Sequence, residues 1–381
     1  MDLVTQKTKE LWAQADESGR EKIQRDLRDL LSSFDTDWDV VMRLASGPLA
    51  VALVKIGINF DIFKTLAGTD SAVPVARFVE ESGATAEMLR RILRTQAAFG
   101  LVEQTSNDEY RANRMTTILT DTNVSGAVLH IFDNLGPIMQ VIPEFLRERK
   151  GQTITSNTDT AFQKAFNTNL SAFEWMDQHP ENLQSLSHFM AMRQDNNWTD
   201  QFPVTAEFAS APPQPTDVAL IDIGGGYGHQ ALLFRQKYPQ LGYVVVQEIP
   251  TVLDRLPPAS KVDGLEFHVH DFFQTQPLRA KFYYMRHVLH DWNDADCVRI
   301  LKATIPAMAP YSRIVIDEVV LPDTQVPWQA AWLDMVMNTA LGGAERTRTE
   351  WEVLLGQAGL KIVDIVRYDN KTQSAIVAVP A

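Results

Sequence analysis

The chain of 381 residues holds a single cysteine, Cys297, so an intrachain disulfide framework and a cysteine-based zinc cluster are both excluded. Excess positive charge is also missing: 35 Lys and Arg stand against 48 Asp and Glu, a formal net charge of −13 at pH 7. A surface of that sign repels polyanions, which argues against nucleic acid or an anionic membrane as a general partner. Long apolar runs are scarce. The most apolar stretch, residues 44–63, is interrupted by Lys55, glycines and an asparagine and falls short of a membrane span. The first thirty residues alternate in charge (Lys7, Lys9, Glu10, Asp16, Glu17, Arg20, Glu21) and lack the apolar core of a signal peptide. There is no internal repeat, no low-complexity tract and no His-x-x-x-His spacing, so no metal is expected. These exclusions leave a cytoplasmic protein that acts on small molecules.

The length suits two domains of about 150–200 residues each. Residues 1–34 read as a charged amphipathic helix, and 38–66 as a more apolar one that needs a partner surface, either a second domain or another subunit. From 74 to 117 the order is helix (75–81), turn at Gly83, helix (86–98) and two strand-like runs (101–104, 110–113), a winged-helix arrangement. DNA binding is disfavoured there, because Arg77, Arg90, Arg91, Arg94, Arg111 and Arg114 are balanced by Glu80, Glu81, Glu87, Glu103, Asp108 and Glu109. Residues 121–203 look mainly helical, and the prolines of 211–215 mark a linker. Beyond it strands (218–223, 243–247, 265–269, 282–285, 313–319) alternate with helices. A terminal strand pair (361–368, 374–379) closes around the turn Asp369-Asn370-Lys371. That alternation predicts an α/β, Rossmann-like domain over 204–381, an open and largely parallel sheet with helices on both faces. It would follow a helical, winged-helix-like domain over 1–120 and a connector over 121–203 that contributes to a substrate pocket.

In such sheets ligands sit at the carboxyl ends of the strands, where strand order reverses. The first strand runs into Asp222-Ile223-Gly224-Gly225-Gly226-Tyr227-Gly228, glycines that permit a tight turn and close approach of a ligand. The dinucleotide fingerprint would need glycine where His229 stands, which disfavours a nicotinamide oxidoreductase. Glu248 ends the second strand, where an acid accepts from both ribose hydroxyls. Asp271, followed by Phe272 and Phe273, ends the third, placed to accept from an adenine amino group. Each alone reads more readily as a surface acid; three successive strand ends with the right group point to a nucleoside. The fourth strand runs into Arg286-His287-Val288-Leu289-His290-Asp291-Trp292. Histidine is the usual general base near neutral pH, and Glu318 and Glu345 are placed to flank His290. His287 reads as structural.

Together the 222–228 turn, Glu248-Ile249-Pro250, Asp271-Phe272-Phe273, His290-Asp291-Trp292 and the 342–347 turn resemble the plant and fungal O-methyltransferases typified by caffeic acid O-methyltransferase, most closely the fungal secondary-metabolite branch. The resemblance covers most of the chain and implies S-adenosylmethionine as cofactor and a homodimer joined through the N-terminal domain. Asp222, Gly224, Gly225 and Gly226 would hold the methionine portion, Glu248 and Ile249 the ribose region, Asp271 and Phe272 the adenine, with Arg286 contacting the cofactor. His290 would be the base, flanked by Glu318 and Glu345. Glu248 stands where the family more often has aspartate, and residues 338–341 do not reproduce the substrate contacts of plant members. The acceptor pocket is expected from the middle segment: Phe166, Phe173, Trp175, Phe189, Met190, Met192 and Trp198, with His130 and Asp291. Two rival readings are a relative that keeps the cofactor but catalyses dehydration or a pericyclic reaction, and a winged-helix regulator.

Overall fold

A computed structural model describes residues 2–192, 197–214, 216–256, 262–369 and 373–381. The chain divides into two compact units, one of residues 1–13, 22–141 and 174–193, the other of 14–21, 142–173 and 194–381. The segment 121–203 is therefore shared between the two.

In the first unit, Thr36 and Asp39 form a reciprocal capping box that starts the helix Asp37–Asn59. This is the one helix among the described residues long and apolar enough by composition to cross a bilayer, and 17% of its most apolar window is buried. Leu53, Val54 and Gly57 reach the core, whereas Trp38, Val41, Leu44 and Leu49 are exposed. The winged-helix order follows: β1 (Val73–Pro74), helix Val75–Ser82, Gly83 in the left-handed region, helix Ala86–Ala98 capped by Thr85, then β2 (Glu103–Ser106) and β3 (Glu109–Arg111). The sheet has three strands in the order β1-β3-β2 rather than the expected two. The first of the pair starts later than expected, because Leu101 and Val102 pack into the core before the ladder begins. Arg77, Arg90, Arg91 and Arg111 each pair with an acid of the same fold (Glu81, Asp108, Glu87 and Glu103), so they form no free basic stripe.

The second unit is built on β4 (Val218–Ile223), β5 (Val244–Glu248), β6 (Leu265–Val269), β7 (Ala280–Arg286), β8 (Arg313–Leu321), β9 (Arg346–Thr347), β10 (Leu360–Arg367) and β11 (Gln373–Pro380). The sheet runs β10-β11-β8-β7-β4-β5-β6, with β9 pairing β8. β4 to β8 are mutually parallel, and β11 joins β8 antiparallel. Strand order reverses between β4 and β7, which opens the ligand crevice at their carboxyl ends. The central strands are nearly all apolar because both faces are covered. Ile221, Met285, Leu301, Ile316 and Trp351 pack on one side, and Leu220, Phe234, Val246 and Phe282 on the other. Trp198, expected in the acceptor pocket, belongs to that second layer: it is 1% exposed and lies 5.3 Å from Tyr284 and 6.1 Å from Phe234 between ring centres. Its spacing from Phe202 is that of a helix buried on the sheet. Asn370 and Lys371 of the expected terminal turn, and Pro215 of the linker, lie outside the described residues.

Candidate active site

β4 delivers the chain into a turn that only glycine satisfies at several points. Gly224, Gly226 and Gly228 have φ of 67°, 57° and 77°, in the left-handed region. A Cβ on Gly225 would lie 2.5 Å from the Asp222 carboxyl carbon, whereas Gly226 faces open space. Glu248, at the end of β5, accepts the Gly226 N–H through Oε1 at 3.0 Å and its neighbour Ile249's N–H through Oε2 at 3.0 Å. The acid predicted to meet a ribose thus also clamps the turn, and burial pushes its carboxyl up. Asp222 is fully buried, its Oδ2 has no hydrogen-bond partner, and desolvation pushes it up to about 7. Arg286, at the end of β7, lies between Asp222 and Asp317. Burial opposes its charge, but Asp317, Tyr284, Tyr368 and Asp222 together raise it further.

Asp271 is exposed and accepts the Phe273 N–H at 2.9 Å, which shapes the bend after β6. Phe272 lies against Gly224, its Cε1 3.7 Å from where a Cβ would stand, and meets Trp292 edge-on at 6.0 Å. Ile249 is 44% exposed at the mouth of the same edge. A Cβ-free turn, an unpartnered buried carboxylate oxygen, an acid at the next strand end and an aromatic wall fit an adenosine-bearing ligand.

Beyond β7, His287 adopts φ 50° and leads into a tight turn over Leu289–Asp291. Glu318, wholly buried on β8, holds that turn: its Oε1 accepts N–H groups from Val288 (3.0 Å), Leu289 (3.0 Å) and His290 (3.4 Å). The second support comes from the loop after the helix Trp328–Leu341. Gly342 ends that helix at φ 75°, and a Cβ on Gly343 would collide with the His290 carbonyl, so glycine is required there. The Ala344 N–H donates to that carbonyl at 3.0 Å, and Asp334 accepts the Glu345 N–H at 2.9 Å. Glu345 then reaches His290, Nδ1 to Oε1 at 2.7 Å, while Glu318 Oε2 lies 3.7 Å from Nδ1 and Asp291 Oδ1 lies 3.4 Å from Nε2.

One imidazole among three carboxylates holds its proton firmly. Burial opposes the charge on His290, but Glu318, Glu345 and Asp291 outweigh it and raise His290 to about 10. Desolvation pushes Glu318 up to about 8 and Asp291 up to about 6, so the group titrates as a coupled set. The Glu345 contact makes Nδ1 the donor and leaves Nε2 to exchange a proton with a ligand. Oε2 of Glu318 and Oε2 of Glu345 are buried without a hydrogen-bond partner; with Asp222 Oδ2 they are three of the six such atoms among the described residues. His290, Glu318 and Glu345 also present ligand atoms within 4.8 Å of one another, a spacing suited to proton sharing that would equally admit a cation.

The residues expected to line the acceptor pocket are divided. His130, Trp175, Phe189, Met190 and Met192 belong to the first unit; Phe166, Phe173 and Asp291 belong to the second. His130 is buried, its Nδ1 2.6 Å from Asn134 Nδ2, its ring 5.5 Å from Phe189, and burial lowers it to about 4. Trp175 stacks on His179 at 3.6 Å, whereas Phe173 and Met190 are 41% and 48% exposed. Sequence reasoning missed Arg346. It is 3% exposed and bonds the carbonyls of Leu289 (3.3 Å), Trp292 (3.1 Å) and Ala344 (3.2 Å), with Asp294 at 2.7 Å. A lone arginine inside the 342–347 turn was the available signal. Asp317 was missed too: it faces away from Glu318 and accepts from Tyr284, Tyr368 (2.5 Å) and Gln373 (2.9 Å). Strand alternation alone separates the two acids.

An open sheet with its crevice at the β4/β7 switch, a nucleoside-shaped edge and an imidazole among carboxylates defines a Rossmann-like small-molecule transferase. A family profile described as an O-methyltransferase domain matches residues 146–361. Demethylsterigmatocystin 6-O-methyltransferase of Aspergillus parasiticus is 49% identical over 382 residues, 100% of this chain and 98% of its own. Among solved structures, a pericyclic reaction enzyme superposes with a TM-score of 0.95 at 33% identity, covering 100% of this chain and 99% of that one. LepI in complex with S-adenosylmethionine superposes with a TM-score of 0.93 at 33% identity, covering 100% and 98%. The chain belongs to the S-adenosylmethionine-dependent O-methyltransferase family of fungal secondary metabolism.

Proposed function

We propose that the enzyme methylates a phenolic or enolic hydroxyl of a small secondary metabolite, of the chemical kind taken by its demethylsterigmatocystin-methylating relative, with His290 as general base. Bound S-adenosylmethionine supplies an electrophilic methyl group on a positively charged sulfur. The Gly224–Gly226 turn and Asp222 would hold its amino-acid portion, Glu248 and Ile249 the ribose region, and Phe272 and Asp271 the adenine, with Arg286 a further contact to the cofactor. His290 takes the hydroxyl proton on Nε2 as the oxygen advances, while Glu345 fixes the ring through Nδ1 and Glu318 fixes the backbone of its turn. Asp291, beside Nε2, orients the incoming hydroxyl. Because the reagent is already activated, alignment and the base are what the protein adds.

The 2.7 Å contact between His290 Nδ1 and Glu345 carries this reading, since it ties up Nδ1 and leaves Nε2 as the nitrogen that exchanges a proton with the acceptor. Incubation with S-adenosylmethionine and a phenolic acceptor is expected to yield methyl ether and S-adenosylhomocysteine in equal amounts; His290→Ala is expected to form both at least about 100-fold more slowly while still binding cofactor. The likeness to a pericyclic reaction enzyme supports a second reading, in which the cofactor is retained and product forms without S-adenosylhomocysteine. Retention of the His290–Glu318–Glu345 set supports methyl transfer over it.

The domains read from the sequence assign residues 1–120 to dimerisation, 121–203 to a connector and 204–381 to the cofactor. The apolar side chains of the helix Asp37–Asn59 would meet a second copy in a cytoplasmic homodimer.

A further inference from the structure

The histidine three residues before His290 has no part in the mechanism above, yet the fold pays it unusual care. His287 is half-buried at the junction of β7 with the His290 turn, and its φ of 50° lies in the left-handed region that a side-chain-bearing residue rarely adopts. A backbone held there persists only when the surroundings over-determine it. Two contacts do so. The His287 N–H donates to the Asp317 carbonyl at 3.3 Å, and Nε2 lies 3.1 Å from Gln373 Oε1 on β11.

The direction of the second bond follows from the next one. Gln373 Nε2 donates to Asp317 Oδ1 at 2.9 Å, so its Oε1 faces the imidazole and accepts, and His287 carries its proton on Nε2. Asp317 is in turn fixed by the hydroxyls of Tyr284 and Tyr368. The charged neighbours of His287 are His290 and Arg286, both positive, with Asp317 reached through Gln373. Burial, His290 and Arg286 all hold the ring neutral. Its face lies on the His290 ring, 4.9 Å between centres and 30° between planes. On its other sides His290 meets the carboxylates of Glu318, Glu345 and Asp291.

We propose that His287 is a positioning residue for His290: an uncharged imidazole, locked by Gln373 and Asp317 in a left-handed turn, whose face sets the plane in which His290 receives the acceptor's proton. The proposal rests on His290 being the base. It assigns the two histidines different work. One carries the proton, and the other, unable to compete for it, keeps the first aligned with the hydroxyl.

The test uses the full-length enzyme, ring-¹⁵N histidine spectra, and the variants His287→Ala and His287→Phe, each with S-adenosylhomocysteine affinity from calorimetry. In the wild-type spectrum, the signals lost in His287→Phe should show one protonated and one bare nitrogen throughout pH 6–8. His287→Ala should lower kcat by about 100-fold, the scale expected when a reacting group is displaced by about 1 Å. S-adenosylhomocysteine affinity and acceptor KM should stay within about threefold, and His287→Phe, which restores a flat ring, should recover most of kcat. Wild-type kcat in His287→Ala, equal losses in both variants, or a doubly protonated His287 near pH 7 overturns the proposal. If the alanine variant does not fold, the wild-type spectrum and the phenylalanine variant still decide. Wild-type turnover in His290→Ala would instead remove the base assignment beneath it.

Discussion

The two units of this chain put their charged and apolar residues in opposite places. In the second unit Asp222, Asp317, Glu318 and Glu345 are buried at the carboxyl edge of an apolar sheet. In the first, Arg77, Arg90, Arg91 and Arg111 lie paired on the surface, while Trp38, Val41, Leu44 and Leu49 are exposed. Burying charge is costly unless it is bonded or put to use, and exposed apolar surface marks association. The contrast supports the proposal of chemistry in one unit and assembly through the other, and each prediction below tests one side of it.

The largest effect is expected at the centre of the buried charge. His290→Ala should lower the rate by about 10²–10⁴-fold, the usual contribution of a positioned base, without changing cofactor affinity measured by calorimetry. Full retention of turnover would break the assignment of chemistry to this edge. The same cluster sets the pH response. His290 is raised to about 10 by its carboxylates, so near pH 7 the imidazolium form dominates and the base is mostly unavailable. Raising the pH frees Nε2, and kcat/KM should climb by about tenfold per unit from pH 7 to 9. A flat profile over that range would show that His290 does not limit the proton step. The bound proton also stabilises the fold, an effect complete below the unfolded value of 6.5 and lost as pH rises through about 10.

Glu248 tests the cofactor half of the edge. Glu248→Ala removes the acceptor for Gly226 N–H as well as the group offered to a ribose. A hydrogen bond to a charged group contributes about 1.5–3 kcal/mol, so cofactor affinity should weaken by about 10–100-fold, with kcat at saturation less affected. Calorimetry with S-adenosylhomocysteine reads the change; unaltered affinity would reduce Glu248 to a brace of the turn.

How much of this was legible in the sequence differs between the same two regions. Strands β4 and β6 fall at the expected bounds: β4 is a continuous apolar run ended by glycine, the mark of a doubly covered strand, and β6 alternates apolar with polar residues at the edge of the sheet. Strand-end and turn position put Glu318 and Glu345 where they could flank His290, and the family resemblance agreed; the contacts that join them to it span 28 and 55 positions of chain, and the support of Gly343 beneath the His290 carbonyl was not readable. Spacing carries no information at that range. Trp198, a pocket candidate whose helical spacing read more readily as core, is core: an aromatic pair at that spacing looks the same whether it faces a pocket or a sheet. β1 was missed for the opposite reason: two residues, one of them a proline, hold no periodic pattern, and only pairing with Tyr110 makes them a strand.

The smallest effect on chemistry, and the sharpest test of the first unit, lies on the helix Asp37–Asn59. Leu44 is 77% exposed and Trp38 70%, on a helix whose own core contacts begin only at Leu53. Burying a leucine side chain against a partner contributes about 1.5–3 kcal/mol, and a charge in its place adds the cost of desolvation. The double change Trp38→Glu and Leu44→Asp should therefore shift the species seen by light scattering from dimer to monomer at micromolar concentration. Both residues lie before the winged-helix core, so its folding should persist, seen as unchanged helix content by circular dichroism. A dimer that survives both substitutions would detach assembly from this surface and leave its apolar side chains without the role that the comparison gives them.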